Sequence, residues 1–215
     1  MRRVIAFDVN ETLLDLRALD DLFEGAALRE QWFAQALQLV FVSVITGRDL
    51  DFPSAQRAAL EMLGERTGAR MPDADAIGAA VRQLPLHPDA APALDRLREG
   101  GLTLCALTNS PLDGVTAALT HAGIADHFEA ILSAETVGRL KPAPKPYRHV
   151  ADTFGVDIGD VTLVACHAWD CAGALAAGCQ AAFVYRPGMV LSRVGEQPGI
   201  VGGDLGEVAA QLLAA

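Results

Sequence analysis

The sequence predicts an α/β protein, a doubly wound parallel sheet with a helical cap inserted after the first strand. Three observations predict it. From Pro85 onward, short apolar runs alternate with amphipathic stretches, the rhythm of strand–helix–strand units. Between Leu16 and about Leu84, apolar residues recur at spacings of three and four, which is helical. Polar clusters fall where apolar runs end, and the carboxyl ends of parallel strands are where ligands bind in such sheets. The 215 residues, 51% of them apolar, suffice for one core with a modest insertion and argue against disorder.

The first strand is Val4-Ile5-Ala6-Phe7, apolar and partly β-branched. It runs into Asp8-Val9-Asn10-Glu11-Thr12. If the chain stays extended, residues 8, 10 and 12 share one side, so an acid, an amide and a hydroxyl converge. The next stretch shows Leu19, Leu22 and Phe23, then Trp32, Ala36, Leu39 and Val40, then Ala59, Met62 and Leu63. Breakers at Gly25, Gly47, Pro53, Gly64, Gly68 and Pro72 divide it into four or five helices, with Leu39 to Ile45 readable as either state. His87 to Gly100 reads as a helix, Leu102 to Leu107 as a strand, and Leu112 to Ala122 as a helix closed by Gly123. Ala130 to Ser133 is a short strand. Lys141 to Tyr147 is a proline-rich turn entering a helix that runs to about Phe154. Val161 to Cys166 is a strand, Cys171 to Ala177 a small-residue helix, Ala181 to Tyr185 the last clear strand, and Leu205 to Leu213 a terminal helix.

The bulk properties exclude several classes. A net charge of -10 lacks the basic footprint of a nucleic-acid binder. No apolar run approaches a membrane span, and the segment after Met-Arg-Arg is too short for a signal-peptide core. Cys105, Cys166, Cys171 and Cys179 show no CxxC spacing and read as buried, reduced thiols of a cytoplasmic protein. The five histidines form no zinc pattern.

Four polar clusters follow one another: Asp8/Asn10/Thr12, Thr108/Asn109/Ser110, Lys141/Tyr147 and His167/Asp170. Their order resembles the motif order of the haloacid dehalogenase (HAD) superfamily: nucleophilic aspartate, Ser/Thr, lysine, and an acid after a fourth strand. Within it the chain most resembles the type II L-2-haloacid dehalogenases. Lys141 is followed by proline and, six residues on, by Tyr147. Ala168-Trp169-Asp170-x-x-Gly173-Ala174 is similar to that family's asparagine-alanine-tryptophan-aspartate motif. The resemblance covers essentially the whole chain. It implies a HAD-type Rossmann-like core at residues 1–14 and 86–215, a helical cap at 15–85, and a homodimer.

The chemistry implied is covalent and metal-free. Asp8 attacks the halogen-bearing carbon of a short 2-haloacid, or the corresponding carbon of a related small 2-substituted acid, and water then hydrolyses the aspartyl ester. Lys141 keeps Asp8 ionised. Thr12, Thr108 and Asn109 orient Asp8 and the substrate carboxylate, with Asn10 and Tyr147 beside them. Asp170, helped by His167, positions or activates the water. Trp32, Phe33, Leu37 and Phe52 of the cap form an apolar wall around the alkyl part. Plainer roles stand beside these: a surface lysine for Lys141, cap packing for the four apolar residues, a helix start for Tyr147, an N-cap for Asp170, a structural histidine for His167, and packing for Trp169.

The chain also departs from the family pattern. Phe33 stands where the dehalogenases carry their catalytic arginine, with Arg29 one helical turn earlier. Ala165 and His167 replace a serine and an asparagine, and Asn10 replaces an aromatic residue. The competing reading is a Mg²⁺-dependent HAD phosphatase acting on a small phosphate ester. Asn10 stands where those enzymes have their acid, and Cys166 where they have a metal ligand. Cys166 is a poor donor for a hard cation. A low-activity or non-catalytic HAD relative is the third reading. A retained nucleophile–lysine pair counts against it.

Overall fold

The computed structural model describes residues 3–215; Met1 and Arg2 of the N-terminal segment read above lie outside them. Six parallel strands form one sheet in the order β3-β2-β1-β4-β5-β6. They are β1 (Val4–Phe7), β2 (Thr103–Thr108), β3 (Ala130–Ser133), β4 (Val161–Ala165), β5 (Gln180–Val184) and β6 (Ile200–Gly202). The four residues of β1 are fully enclosed because the strand is central: Val4–Phe7 pair with Thr103–Ala106 on one side and Val161–Val164 on the other. Alternation divides its side chains. Ile5 and Phe7 enter one apolar layer, and Val4 and Ala6 the other.

Helices α4 (Ala90–Glu99), α5 (Leu112–His121) and α8 (Leu205–Ala214) bury Leu94, Leu97, Leu119, Val208 and Leu212 in the first layer. Helices α6 (Pro144–Phe154) and α7 (Ala168–Ala177) bury Val150, Ala151, Ala174 and Ala177 in the second. Helices on both faces of a parallel sheet make the doubly wound arrangement that the alternation predicts. The strand order reverses between β1 and β4, and the crevice beyond their carboxyl ends is the switch point where ligands bind in such sheets.

Between β1 and α4 lie a 3-10 segment at Leu16–Phe23 and helices α1 (Ala26–Thr46), α2 (Phe52–Thr67) and α3 (Ala74–Val81). The ambiguous run Leu39 to Ile45 is helical, the last part of α1. Two expected breakers do not break. Pro53 sits in the first turn of α2, where a missing N–H costs nothing, and Gly64 lies inside it. Asp51 and Asp73 cap α2 and α3, accepting from the backbone N–H of Ser54 and Asp75, and Gly47 and Gly68 close α1 and α2 in the left-handed region. The chain leaving β1 and the chain entering α4 run side by side. Asp15 N–H donates to the Pro85 carbonyl at 2.8 Å, and His87 N–H to the Leu13 carbonyl at 2.9 Å.

Helix α7 begins three residues before its expected start, so Asp170 lies in its first turn and His167 takes the N-cap position. Asp170 is therefore not the N-cap. Strand β6 lies among glycines and is only three residues long, too short for periodicity to mark. All four cysteines are free and buried. Burial pushes the thiols of Cys105, Cys171 and Cys179 up, the last to about 12, so they stay protonated at neutral pH. Among the described residues no helix is long and apolar enough to cross a membrane.

Candidate active site

Three loops meet beyond the carboxyl ends of β1, β2 and β4, and a fourth group arrives from the turn before α6. Asp8 is the first residue past β1, held in line by its N–H to the Val164 carbonyl at 3.0 Å. Its carboxylate is buried and fully partnered. Thr12 Oγ1 donates to Oδ2 at 2.6 Å, Lys141 Nζ donates to Oδ1 at 2.9 Å, and His167 Nδ1 lies 3.2 Å from Oδ2. The Thr12 hydroxyl also accepts from Cys166 N–H at 3.1 Å, which ties the β1 loop to the end of β4.

Lys141 is 1% exposed, and its ammonium has three acceptors: Asp8 Oδ1, the Leu107 carbonyl at 2.9 Å and Asp170 Oδ2 at 2.6 Å. Asn109 fixes the lysine backbone, accepting from Lys141 N–H at 2.7 Å and donating to its carbonyl at 3.2 Å. Tyr147 OH donates to the other Asp170 oxygen, so both carboxylate oxygens of Asp170 are engaged. Gly173 of α7 makes room for this packing. A Cβ there would lie 2.6 Å from both Pro142 Cβ and the Tyr147 hydroxyl.

The electrostatics separate the two aspartates. Burial pushes Asp8 up, but the Lys141 charge and the His167 and Thr12 hydrogen bonds outweigh it and hold Asp8 below the usual carboxylate range. Asp170 moves up because burial, together with repulsion from Asp8, exceeds what Lys141 returns. Burial favours a neutral Lys141, yet the Asp170 and Asp8 charges raise its pKa, so the lysine stays cationic. Burial and the Asp170 charge push Tyr147 well up, so it remains a donor. His167 is raised well above the ordinary histidine value although burial opposes this. The adjacent Cys166 sulfur, with hydrogen bonds to Asp8, Cys166 and Glu11, favours the imidazolium.

The other predicted residues divide. Asn10 donates to Ser110 Oγ at 3.1 Å and lines a cavity of about 320 Å³ with Trp32. Thr108 makes no hydrogen bond to Asp8. Its hydroxyl accepts from Ser110 N–H at 3.1 Å and shapes the turn after β2. Asn109 acts on Lys141 rather than on Asp8. Trp32 is fully enclosed against Phe23 and Phe33, with its indole N–H donating to the Gln56 carbonyl at 3.0 Å. Phe33 faces a second cavity, of about 340 Å³, with Leu37, Arg29, Glu11, His167 and Trp169. Its ring lies 6.2 Å from the His167 ring. Arg29 reaches this cavity but is bound to Asp20, with Glu11 3.6 Å away. Phe52 packs edge-on against Phe33 and lines neither cavity. Trp169 packs between His167 and Phe41, with Lys141 Nζ 5.9 Å from its ring.

Glu11 is the site residue that sequence reasoning missed. Its Oε2 lies 2.8 Å from His167 Nε2. Extended-chain alternation puts residue 11 opposite 8, 10 and 12. The backbone instead turns left-handed there, with φ 64°, and brings the carboxylate round. That conformation costs a residue with a Cβ roughly 1–2 kcal/mol. The neighbouring residue types carry no signal for it.

Asp8, Cys166 and His167 have donor atoms within 4.8 Å of one another. A thiol and an imidazole with one carboxylate do not fit Mg²⁺, which prefers oxygen donors in octahedral geometry. The Lys141 ammonium bridges Asp8 and Asp170.

The family model of the haloacid dehalogenase-like hydrolases matches residues 2–178. Over 217 residues the chain is 27% identical to (S)-2-haloacid dehalogenase H-109 of Pseudomonas putida, with 97% of each chain covered. It superposes on the L-2-haloacid dehalogenase of Xanthobacter autotrophicus with a TM-score of 0.89 and 26% identity, covering 99% of this chain and 98% of the other. A second structure of that enzyme, with chloropropionic acid covalently bound, superposes equally well.

Proposed function

Because the chain belongs to the haloacid dehalogenase-like hydrolases and is similar to (S)-2-haloacid dehalogenases over nearly its whole length, we propose that it hydrolyses the carbon–halogen bond of short 2-haloacids through an ester on Asp8, without a metal. The observation that carries the reading is the Asp8–Lys141 pair. A buried carboxylate held ionised by a buried ammonium is a nucleophile shielded from water. The covalent chloropropionate complex of the Xanthobacter relative supports the same chemistry.

In the first half-reaction an Asp8 oxygen attacks the substrate carbon and the halide leaves with the bonding pair. Thr12 and Lys141 hold the carboxylate in place for this step. In the second, water adds to Asp8 Cγ and the hydroxyacid departs with the former Asp8 oxygen. Phe33 and Leu37 present apolar surface to the alkyl group. A phenylalanine cannot donate to a departing halide as an arginine does. A charge-assisted hydrogen bond contributes about 1.5–3 kcal/mol. Its absence lowers turnover by roughly ten- to a hundredfold relative to an arginine-bearing relative, a deficit measurable side by side on one substrate.

The test is a paired assay, each arm run with EDTA and with Mg²⁺. Halide release is followed from L-2-chloropropionate and phosphate release from an aryl phosphate. Halide release that survives EDTA is the expected result. Phosphate release dependent on Mg²⁺, with no halide release, would establish the phosphatase chemistry instead.

A further inference from the structure

The His167 ring is clamped at both nitrogens. Nδ1 faces Asp8 Oδ2 at 3.2 Å, and Nε2 faces Glu11 Oε2 at 2.8 Å. Phe33 and Trp169 flank the ring at 6.2 and 5.4 Å, tilted by 33° and 30°, so it has little freedom to turn. Glu11 is itself fixed. Its N–H donates to the Leu14 carbonyl at 2.9 Å, and its own carbonyl accepts from His87 Nε2 at 3.0 Å. It adopts a left-handed backbone, unusual for a residue with a Cβ, and that backbone delivers its carboxylate to the ring. Asp170, by contrast, has both oxygens committed to Lys141 and Tyr147.

We propose that Glu11 is the positioning residue of a Glu11–His167 dyad, in which His167 accepts the proton of the water that hydrolyses the Asp8 ester. This rests on the ester reading given above and assigns its second half to groups other than Asp170. A carboxylate on Nε2–H selects the tautomer whose Nδ1 lone pair points at Asp8. The atoms balance over the cycle. In the resting site the imidazolium sits between the Asp8 and Glu11 carboxylates. Alkylation removes the Asp8 charge, and the imidazolium releases its proton to solvent. Neutral His167 then takes a proton from the attacking water as its oxygen bonds to Asp8 Cγ. The tetrahedral intermediate collapses, and the leaving oxygen takes the remaining water proton. The site is left with ionised Asp8, imidazolium and hydroxyacid, having released one halide and one proton.

The groups facing the ring set its titration. Asp8 and Glu11 are in contact, and Cys166 Sγ lies at 3.8 Å. Behind them stand Lys141, paired with Asp8, and Arg29, beside Glu11. Around the cavity are Asp15, Arg17, Glu30, His87 and Arg186.

The experiment is rapid-quench kinetics of the full chain with L-2-chloropropionate, comparing wild type, Glu11→Gln and Glu11→Gly. The glycine variant removes the carboxylate and suits the left-handed backbone, and circular dichroism of both variants separates a folding defect from a slowed hydrolysis. The expected result is a stoichiometric halide burst at the wild-type rate, followed by a steady state slowed roughly tenfold or more. Mass spectrometry then finds the ester accumulated on the Asp8 peptide, and the pH profile of the hydrolysis step is displaced to lower pH. Wild-type ester hydrolysis in both variants, or equal loss of burst and hydrolysis, would overturn the dyad and leave the ester reading standing. A wild-type chain that releases halide with no Asp8 ester at any time would overturn both.

Discussion

Two residues carry the account at the smallest scale. With Asp8 as the proposed nucleophile, Asp8→Asn should abolish halide release while leaving the fold intact, as judged by circular dichroism and a cooperative melt. Lys141 has a double role that its variant should expose. Lys141→Met leaves Asp8 and Asp170 buried without their shared cation, and losing one partner of a buried ion pair costs about 3–5 kcal/mol. Denaturant unfolding should register that loss, and turnover should fall as the Asp8 carboxyl rises out of its ionised range. Much at this scale was legible in the sequence. Asp8, Thr12 and Asp170 follow apolar runs whose ends the topology brings together, and Lys141, in the proline-rich turn before α6, was singled out by the order of the motifs. Glu11 was not legible, because its placement depends on one left-handed φ angle. Nor was the division of labour between Thr108 and Asn109, since which of two adjacent polar side chains turns inward depends on the loop conformation.

At the scale of elements, the site depends on how closely α7 approaches the turn carrying Lys141. Gly173 permits that approach. In Gly173→Ala the new methyl would meet Pro142 and the Tyr147 hydroxyl at 2.6 Å, and the Pro142 backbone at 3.1 Å. Overpacking of this kind costs about 1–3 kcal/mol. The variant should melt several degrees lower and lose more activity than stability, because the displaced groups are those that hold Asp170. Melting curves with kinetics at permissive temperature check this. Element types were readable where periodicity was strong, as in β1, β2 and β4 or the long α1. They were unreadable where the element was shorter than its own period could show, as in β6. Helix starts shifted where small residues carry little pattern, as at Ala168 of α7.

The molecule as a whole balances its buried charges, and its stability should follow pH accordingly. Asp8 is lowered from its ordinary 3.8, so its contribution is present above about pH 4 and lost as pH falls toward its folded value. Asp170 is raised and offsets part of that gain. His167 is raised from 6.5, so its contribution is complete below about pH 6.5 and lost as pH rises through its folded value. The melting temperature should therefore decline on the alkaline side, while His87, lowered from 6.5 chiefly by burial, subtracts stability as pH falls below about 6.5. His167→Asn should lack the part of that decline due to the imidazolium, which thermal melts across pH can measure. The doubly wound sheet with helices inserted after the first strand was legible at this scale, because composition and alternation are properties of the whole chain. The two cavities were not, since they depend on how the helices before α4 sit over the sheet.

The claim on which the rest depends is that Asp8 becomes esterified and is freed by water at its own carbonyl. A single turnover of L-2-chloropropionate in ¹⁸O-water, followed by mass spectrometry of the Asp8 peptide, tests it directly. An Asp8 ester opened by water at Cγ leaves ¹⁸O in the Asp8 carboxylate and none in the hydroxyacid. Label in the hydroxyacid alone, with an unlabelled Asp8 peptide, would mean that water attacks the substrate directly, and would contradict it.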